Sequence, residues 1–329
     1  MKSVRFHKTG GPEVLVYEEV PDPEPGAGQI LVRVEAVGMN FSDVLRRRGD
    51  AYPEPTPLPF TVGSEVAGTV AALGPGVEGP AVGTPVFVPA RTGGYAQYVV
   101  VAASSAIPLP DGIKPVQATA LVIQGLTALF ALRNAGRLAE GEAVLIEAAA
   151  GGVGSFAVQL AKLLGAGTVI AAASSEAKRA KAISLGADAA VDYTDPTWAE
   201  QVRNLTGGRG VDVVLEMTGG DTVHRALDAM APFARMVVYG LASGESVEVD
   251  PQRLMNLNQS VVGFYIGGFF ANPDRIATGL SEIVAHVQAG RLELQIGGVM
   301  PLSRAADAHR LLEGRGSTGK LVLKPWDDA

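Results

Sequence analysis

A glycine-rich turn between an apolar run and a helical pattern has the residue types in this sequence that best suit binding chemistry. The mainly apolar run Ala143–Ala149 is followed by Gly151, Gly152, Val153 and Gly154, and then by apolar residues at helical spacing. A helix that begins at such a turn directs its first amide N–H groups and the positive end of its dipole to one point. Since glycines also let a ligand approach the backbone closely, the turn predicts a site for the pyrophosphate of a dinucleotide.

The first glycine of the usual GxGxxG is missing, and the chain instead has the pattern Ala148-x-x-Gly151-x-x-Gly154. Glycine-rich turns between strands and helices also occur for purely structural reasons. The strand-then-helix pattern nevertheless continues after this turn, which is the context that a dinucleotide fold requires. The interpretation as a dinucleotide site is therefore favoured over a structural turn.

The residues that follow the next apolar run bear on the choice between NAD and NADP. NAD sites usually place an acidic residue about 20 residues beyond the glycine-rich turn, and this chain has Ser174 there. Hydroxyl groups with Lys178 and Arg179 nearby suit the 2′-phosphate of NADP, which attracts donors and positive charge. Glu176 could instead face the ribose of NAD, and Ser174 or Ser175 could simply cap a helix. The pattern favours NADPH.

Composition and charge limit the classes of function. The 329 residues carry a net charge of -7 and include no cysteine, so disulfides and thiolate metal sites are excluded. The basic run Arg46–Arg48 is expected to be a solvated surface patch, and no nucleic-acid partner is expected. The first residues lack a signal-peptide core, and no uninterrupted apolar run is long enough to span a bilayer. We expect a cytoplasmic protein without membrane contact.

The elements that must position the turn fall into three stretches. Residues 1–120 contain short apolar runs separated by glycine and proline turns, which is typical of a β-barrel or sandwich. Residues 121–267 begin with an apolar helical segment and then alternate strands with helices, which indicates a parallel sheet. Residues 268–329 most simply rejoin the first stretch. We therefore expect a discontinuous domain of residues 1–120 and 268–329, interrupted by a dinucleotide-binding domain of residues 121–267.

Several motifs spread over the whole chain resemble those of one family. They are Phe6–Leu15, Val37–Asp43, Gly63–Gly68 and Gly125–Thr127, in addition to the glycine-rich turn. Together they are similar to the quinone oxidoreductase branch of the medium-chain dehydrogenase/reductase superfamily, the group that includes zeta-crystallin. The resemblance implies an α/β fold, in which a GroES-like β-rich catalytic domain carries an inserted Rossmann doubly wound parallel sheet.

Zinc alcohol dehydrogenases of the same superfamily are the main rival interpretation. They have a cysteine ligand where this chain has Asn40, and a histidine ligand where it has Ser64. A catalytic zinc needs three protein ligands and an open position. The resemblance therefore implies a zinc-free enzyme with no metal site.

The resemblance also implies which residues meet the cofactor. At the phosphate end it indicates Ser174, Lys178, Tyr193 and Arg315, which supports the choice of NADPH. At the nicotinamide end it indicates segments that contain Phe41, Asp43, Thr127, Phe130, Tyr239, Gly240, Leu241, Phe264, Tyr265 and Ile266. Met217 departs from the small polar residue that is more usual in this branch. Phe41 and Phe130 could also be simple core residues, and Tyr193 an ordinary residue at a strand end.

The activity that the resemblance implies is reduction of a small quinone or enone by hydride transfer from NADPH. Charge that develops on the acceptor oxygen needs a hydrogen-bond donor. Asn40 is the first candidate donor, because it stands at the metal-ligand position of the zinc enzymes. Tyr52 is a second candidate donor or proton source, with equal weight given to its being an ordinary loop residue. The four histidines are expected to be structural or at the surface.

Two alternative functions and one assembly state accompany this expectation. Zinc-free enoyl-thioester reductases of the superfamily have a similar loop, so reduction of an enoyl thioester is the alternative activity. A crystallin-like or RNA-binding protein with little turnover is an alternative of another class, which the acidic charge disfavours.

The last sheet strand, Asn258–Ile266, is expected at a sheet edge, where the family often joins two sheets. We therefore expect a homodimer or a dimer of dimers.

Overall fold

The computed structural model describes residues 1–327, and the chain divides into two compact units. The discontinuous unit comprises residues 1–123 and 294–329, and the central unit comprises residues 124–293. The second boundary lies after Glu293 instead of after residue 267. The reason is that the helix Pro273–Gln288 packs on the helix Leu126–Phe130 of the central unit. At that contact Gly279 lies so close to Phe130 that a Cβ there would collide with its ring.

Strands of the discontinuous unit form a short ribbon and a larger sheet. The ribbon pairs β1 (Lys2–Arg5) with β2 (Val16–Glu19) antiparallel. The sheet contains β3 (Gln29–Gly38), β4 (Glu65–Leu73), β5 (Pro85–Pro89), β6 (Tyr98–Ala102), β7 (Ile107–Pro108), β14 (Ile296–Pro301) and β15 (Lys320–Lys324). Its order is β14-β15-β3-β4-β5-β7, and β6 also pairs with β3. The end of the chain therefore completes the sheet that the first hundred residues begin.

Helices of this unit are α1 (Phe41–Arg48), α2 (Pro115–Ala118) and α10 (Ala305–Glu313). The N-cap of helix α1 is Asn40, whose backbone N–H donates to the side chain of Asp43, and the helix ends at Gly49 with a left-handed φ of 85°. The core beneath the sheet comes from alternate positions of the strands, including Ile30, Val32 and Val34 of β3.

The expectation that the basic run Arg46–Arg48 is a solvated surface patch is wrong for Arg46 and Arg47. Arg47 is fully buried and donates to Glu313 at 2.6 Å, and Arg46 is buried and donates to the carbonyl of Pro55 at 2.6 Å. A buried guanidinium is tolerated only where acceptors surround it. The Arg47–Glu313 pair thus ties α1 to α10.

The central unit is built on a parallel sheet. Its strands are β8 (Ala143–Glu147), β9 (Thr168–Ala172), β10 (Ala189–Val191), β11 (Val211–Glu216), β12 (Met230–Val238) and β13 (Ser260–Gly263). Their order is β10-β9-β8-β11-β12-β13, so the chain direction across the sheet reverses between β8 and β11. This is the order of a dinucleotide-binding doubly wound sheet, whose ligands bind outside the carboxyl ends of the strands at the reversal point.

The remaining helices alternate with these strands. They are α3 (Leu126–Phe130), α4 (Gly152–Leu163), α5 (Glu176–Ser184), α6 (Trp198–Leu205), α7 (Asp221–Ala229), α8 (Pro251–Leu257) and α9 (Pro273–Gln288). Two π-helical segments, Leu121–Gly125 and Ala131–Ala135, flank α3. The helical stretch Pro115–Ala135 is long and apolar enough to cross a membrane, but 78% of its apolar window is buried inside the structure. Burial of this kind is typical of a core helix.

Candidate active site

The glycine-rich turn lies where β8 ends and α4 begins. Gly151 is the N-cap of α4 and has extended backbone, with φ -77° and ψ -176°. Ala148 has a left-handed φ of 46°, the conformation for which glycine is usually selected. The amide N–H groups of Gly152, Val153 and Gly154 have no acceptor within residues 1–327. Three unpaired donors at the positive end of a helix suit an anionic pyrophosphate.

Close packing explains the two glycines inside the helix. A Cβ at Gly154 would collide with the carbonyl oxygen of Ala148, so Gly154 is needed for the helix to pack on the turn. A Cβ at Gly152 would collide with the side chain of Gln124. Gln124 is buried, and its Oε1 atom has no donor in the described chain. Sequence reasoning missed this residue, and its signal is a polar side chain in an otherwise apolar helical segment.

Residues predicted for the cofactor phosphate follow the next two strands. Ser174 comes after β9 and Tyr193 after β10, and the two strand ends are joined by a hydrogen bond from Ala173 N to Val191 O of 3.1 Å. Both side chains are half-buried. The carboxyl ends of two neighbouring parallel strands thus bring Ser174 and Tyr193 to the same edge of the sheet.

The first turn of α5 carries the basic residues. Ser175, not Ser174, is the N-cap and accepts from Lys178 N at 3.4 Å, which leaves Ser174 outside the helix. Arg179 forms an ion pair with Asp192 of 2.7 Å. Arg315 belongs to the discontinuous unit, just after α10, and has a left-handed φ of 54°.

Two buried carboxyl groups meet at the reversal point of the parallel sheet. Glu147 is the last residue of β8 and Glu216 is the last residue of β11, and both are fully buried. Burial, and then the charge of Glu216, raise the pKa of Glu147 to about 8. Burial also raises the pKa of Glu216. Neither residue was predicted, although each is an acid that ends an otherwise apolar strand.

Asn40 lies in a buried polar cluster of the discontinuous unit. Its Oδ1 atom accepts from Lys320 Nζ at 2.9 Å, and its Nδ2 group donates to Glu65 Oε1 at 2.9 Å and to Ser64 Oγ at 3.2 Å. Lys320 also forms an ion pair with Glu65, and both side chains are fully buried. Both hydrogens of the Asn40 amide are therefore engaged within the cluster. Lys320 and Glu65 were not predicted.

Asp43 is a structural acceptor in this cluster. Its carboxylate accepts from Asn40 N at 2.9 Å and from Gly63 N at 3.1 Å, and Tyr95 OH donates to it at 3.5 Å. Burial raises the pKa of Asp43 to about 6. These bonds fix Asn40 at the start of α1, and direct contact of Asp43 with a cofactor stays a prediction.

His309 extends the same buried network toward Arg47. Its Nε2 atom lies 3.2 Å from Tyr95 OH, and its Nδ1 atom lies 3.5 Å from Arg47 Nη1. Burial, and then the charge of Arg47, lower the pKa of His309 to about 3. Since Arg47 can only donate, Nδ1 accepts and the neutral ring carries its proton on Nε2. The residue is structural, as expected.

Phe41 and Tyr52 are two further predicted site residues, one at the start of α1 and the other after its end. Phe41 is the first residue of the helix and is half-buried. Tyr52 is half-buried in the loop after the helix, and the guanidinium of Arg46 lies 5.0 Å from its ring centre. The structure thus gives Tyr52 a packing role in its loop, and the predicted role in proton transfer stays a prediction.

Residues of the central unit that were predicted for the nicotinamide end fall into three groups. Thr127 and Phe130 are buried in α3, and Phe130 stacks on Phe269 with ring centres 4.9 Å apart. Phe130 is thus also a core residue. The second group, Tyr239, Gly240 and Leu241, follows β12, and the third, Phe264, Tyr265 and Ile266, follows β13.

Met217 contributes to the loop after β11. A Cβ at Gly240 would lie 3.1 Å from both the Cβ and the carbonyl oxygen of Met217, so the glycine lets the loop after β12 lie close to Met217. Ala242 N donates to Met217 O at 2.9 Å.

No group of three or more His, Cys, Asp or Glu residues within residues 1–327 could hold a metal ion. At the positions where the zinc enzymes have their cysteine and histidine ligands, Asn40 and Ser64 are bonded to each other. The ammonium group of Lys320 supplies positive charge to the same cluster.

The GroES-like sheet, the parallel sheet with its reversal beside β8, and the glycine-rich first turn define a medium-chain dehydrogenase/reductase. Residues 26–111 match the family model of the alcohol dehydrogenase GroES-like domain, and residues 152–285 match that of the zinc-binding dehydrogenase. The predicted fold class is confirmed.

Known relatives specify the family further. Quinone oxidoreductase of Pseudomonas aeruginosa is 37% identical, covering 98% of this chain and 99% of the relative. 2-Haloacrylate reductase of a Burkholderia species is 36% identical, covering 97% and 98%. The structure of Escherichia coli quinone oxidoreductase complexed with NADPH has a TM-score of 0.93 at 32% identity, covering 99% of this chain and 100% of that one. The chain belongs to the quinone oxidoreductase family, as the motifs predicted.

Proposed function

We propose that this protein is a zinc-independent oxidoreductase that uses NADPH to reduce quinones or other small conjugated carbonyl compounds. The observation that carries the proposal is the turn after β8, where three unpaired amide N–H groups meet at the start of α4. These donors, together with the glycines, fit a dinucleotide pyrophosphate. The solved Escherichia coli relative is a complex with NADPH.

Residues at the phosphate end support NADPH over NADH. Ser174 and Tyr193 lie in the loops that follow β9 and β10, and Lys178 lies in the first turn of α5. Ser174 stands where an NAD site usually has an acid. Arg315 is the fourth residue assigned to the 2′-phosphate. Hydroxyl groups and positive charge suit a phosphate, whereas a ribose diol is usually met by an acid.

Zinc independence is supported by the charge of the Asn40 cluster. Lys320 is held against Asn40 and Glu65 without exposure to solvent. A divalent cation at the same place would be repelled by the ammonium group and would find amide and hydroxyl groups in place of thiolate and imidazole.

NADPH, when bound, supplies the hydride. The task of the chain is to orient the acceptor and to stabilise the negative charge that develops on its oxygen. We assign Asn40 and Tyr52 as the first and second donors to that oxygen. Asn40 is presented by the start of α1, where its amide must exchange a bond to Ser64 for one to substrate. The 2-haloacrylate reductase relative supports a conjugated acceptor in a broader sense than quinones.

The test is oxidation of NADPH and NADH by a panel of quinones, enones and enoyl thioesters, with and without a chelator. We expect turnover with a quinone or enone, a preference for NADPH, and no effect of the chelator or of added zinc. Turnover confined to an enoyl thioester would replace the proposed substrate class. Loss of activity with the chelator, restored by zinc, would refute zinc independence.

We also propose a homodimer or a dimer of dimers, assembled through the edge of the parallel sheet. Strand β13 is the last in the sheet order and pairs with β12 on one side. An open strand edge is usually covered or paired. Light scattering coupled to size-exclusion chromatography should give a mass of two or four chains, and a mass of one chain would contradict the proposal.

A further inference from the structure

Glu147 and Glu216 end two neighbouring parallel strands in register. The pairs Val213–Val144, Val214–Leu145 and Leu215–Ile146 align β11 with β8, so the next pair along the strands is Glu216 with Glu147. Both side chains have no exposure to solvent. Two carboxyl groups are therefore held side by side, away from water, at the reversal point of the sheet.

Each of the two carboxyl groups has one oxygen that accepts hydrogen bonds and one that does not. Glu216 Oε1 accepts from Thr218 N at 2.9 Å and from Gly219 N at 2.6 Å, and Glu147 Oε2 accepts from Thr218 Oγ1 at 2.8 Å. Within the described chain, Glu147 Oε1 and Glu216 Oε2 are buried and have no hydrogen-bond partner, so a bond from one carboxyl group to the other would satisfy both. A bond between two carboxyl groups requires a proton on one of them.

The surroundings favour a single shared proton. Two carboxyl groups in a dry site do not both ionise near neutral pH, whereas loss of only one proton leaves a charge that backbone N–H groups stabilise. Tyr239, which follows β12, also faces the pair, and burial, and then the charges of both acids, raise its pKa. Burial is the largest influence and raises the pKa of both acids, while hydrogen bonds from the backbone N–H groups of Met217, Thr218 and Gly219 lower it.

The pair connects the loops at the carboxyl end of the sheet. Glu147 directly precedes the turn that begins at Ala148, and its carboxyl group is bonded to Thr218 of the loop after β11. The same loop holds the one after β12, because Ser243 N donates to Thr218 O at 2.8 Å. Separation of the two acids would therefore move the glycine-rich turn relative to both neighbouring loops.

We propose that Glu147 and Glu216 are positioning residues whose shared proton holds the glycine-rich turn and the loop after β11 in the arrangement that binds NADPH. This inference rests on the proposed function, since it concerns affinity for the same cofactor. Loss of the proton in alkaline solution places two like charges side by side, and the loops then separate. Because the pKa of Glu147 is raised to about 8, this loss falls in an accessible pH range.

The test is the dissociation constant of NADPH, measured by cofactor fluorescence from about pH 7 to about pH 9.5, above the range in which the 2′-phosphate titrates. For the wild type we expect the constant to rise roughly tenfold across this range. Glu147→Gln and Glu216→Gln each supply an amide donor to the remaining acid, so the constant should change less than about twofold. Glu142→Gln, at the other end of β8, should behave as the wild type.

A second measurement separates the shared proton from cofactor binding. The measurement is the infrared difference spectrum between about pH 7 and about pH 9.5, recorded without NADPH. In the wild type, the carbonyl band of a protonated carboxyl group should be lost as the pH rises. The spectrum of Glu147→Gln should show no such loss. A lost band with unchanged NADPH affinity would overturn the coupling. If the affinity of both glutamine variants for NADPH fell with rising pH as much as that of the wild type, the role of the proton would be overturned. If NADPH did not bind at any pH, the proposed function would fail as well, while the band would still report the proton.

Discussion

Lys320 is fully buried and places its ammonium nitrogen 2.9 Å from the amide oxygen of Asn40. Lysine only donates hydrogen bonds, so this contact fixes which end of the Asn40 amide is oxygen. The amide nitrogen must then face Glu65 and Ser64. A residue from the last strand thus sets the orientation of a proposed catalytic side chain near the start of the chain.

Lys320→Met should destabilise the protein strongly, because it leaves the buried carboxylate of Glu65 without its cation. Removal of one partner of a buried ion pair costs about 3–5 kcal/mol. The measurement is the free energy of unfolding in urea. Lys324→Met is the matched control, because Lys324 lies in the same strand and pairs with Asp327 at the surface. A loss of about 1 kcal/mol or less is expected for it, and equal losses in the two variants would contradict the assigned role of Lys320.

Asn40→Ala should lower kcat/KM for a quinone by about a hundredfold, the usual effect of losing one donor to a developing oxyanion. Tyr52→Phe should lower it by about tenfold if the hydroxyl group is the second donor or proton source. Steady-state kinetics with NADPH at saturation measure both effects, and circular dichroism checks that the variants fold. Unchanged kcat/KM in both variants would refute the proposed donors.

The stability of the protein without cofactor should fall as pH rises from about 6.5 to about 8. The pKa of Glu147 in the folded state is about 8, above its ordinary value of 4.5, so the folded state holds a proton that the unfolded state has lost. The free energy of unfolding should therefore decrease by up to about 1.4 kcal/mol per pH unit. Urea denaturation at several pH values checks this slope. Glu147→Gln should flatten it, and an equal slope in the variant would assign the proton elsewhere.

Ala148→Gly should stabilise the protein by up to about 1 kcal/mol, because Ala148 has a left-handed φ of 46° that glycine adopts without strain. Affinity for NADPH should stay within about twofold, since the substitution keeps the backbone conformation of the turn and leaves Gly151 and Gly154 in place. Thermal unfolding and cofactor titration are the measurements. Ala149→Gly is the control, because Ala149 is buried without a left-handed φ and should lose stability. Destabilisation by Ala148→Gly would contradict the argument from backbone strain.

Lys178→Ala should weaken NADPH binding by about fivefold to thirtyfold and leave NADH binding nearly unchanged. The range corresponds to the loss of about 1–2 kcal/mol from one charge-assisted contact with the 2′-phosphate. Competition titrations with the two cofactors give the ratio. Lys181→Ala, on the same helix α5, should leave the ratio unchanged. Equal weakening for NADPH and NADH would place Lys178 away from the phosphate.

Much of the central unit was predictable because its strands are apolar runs of a characteristic length. Helix α4 was predicted over residues 152–164 and observed over Gly152–Leu163, since glycine at its start and apolar periodicity mark it clearly. Strand β12 begins at Met230, whereas the pattern indicated Arg235. Its pairing with β11 shifts register near that start, and such a shift leaves no regular alternation to detect.

The site was predictable only where local sequence determines it. The glycine-rich turn is contiguous, so its residues could be assigned together. Lys320 and Glu65 are distant in sequence and meet because β3 pairs with both β15 and β4. Glu147 and Glu216 meet through the register of β8 and β11. Arg46 and Arg47 were misjudged because a charged run gives no sign that α10 supplies an acceptor such as Glu313.

The buried Lys320 of β15 determines how the cluster around Asn40 acquires its positive charge. A metal centre depends on an ion that can be diluted, chelated or replaced by a competitor, and its charge is present only after loading. The positive charge beside Asn40 is instead synthesised with the polypeptide and comes into place as the last strand joins the sheet. In the proposed zinc-independent enzyme, completion of the fold and charging of the site are therefore one event.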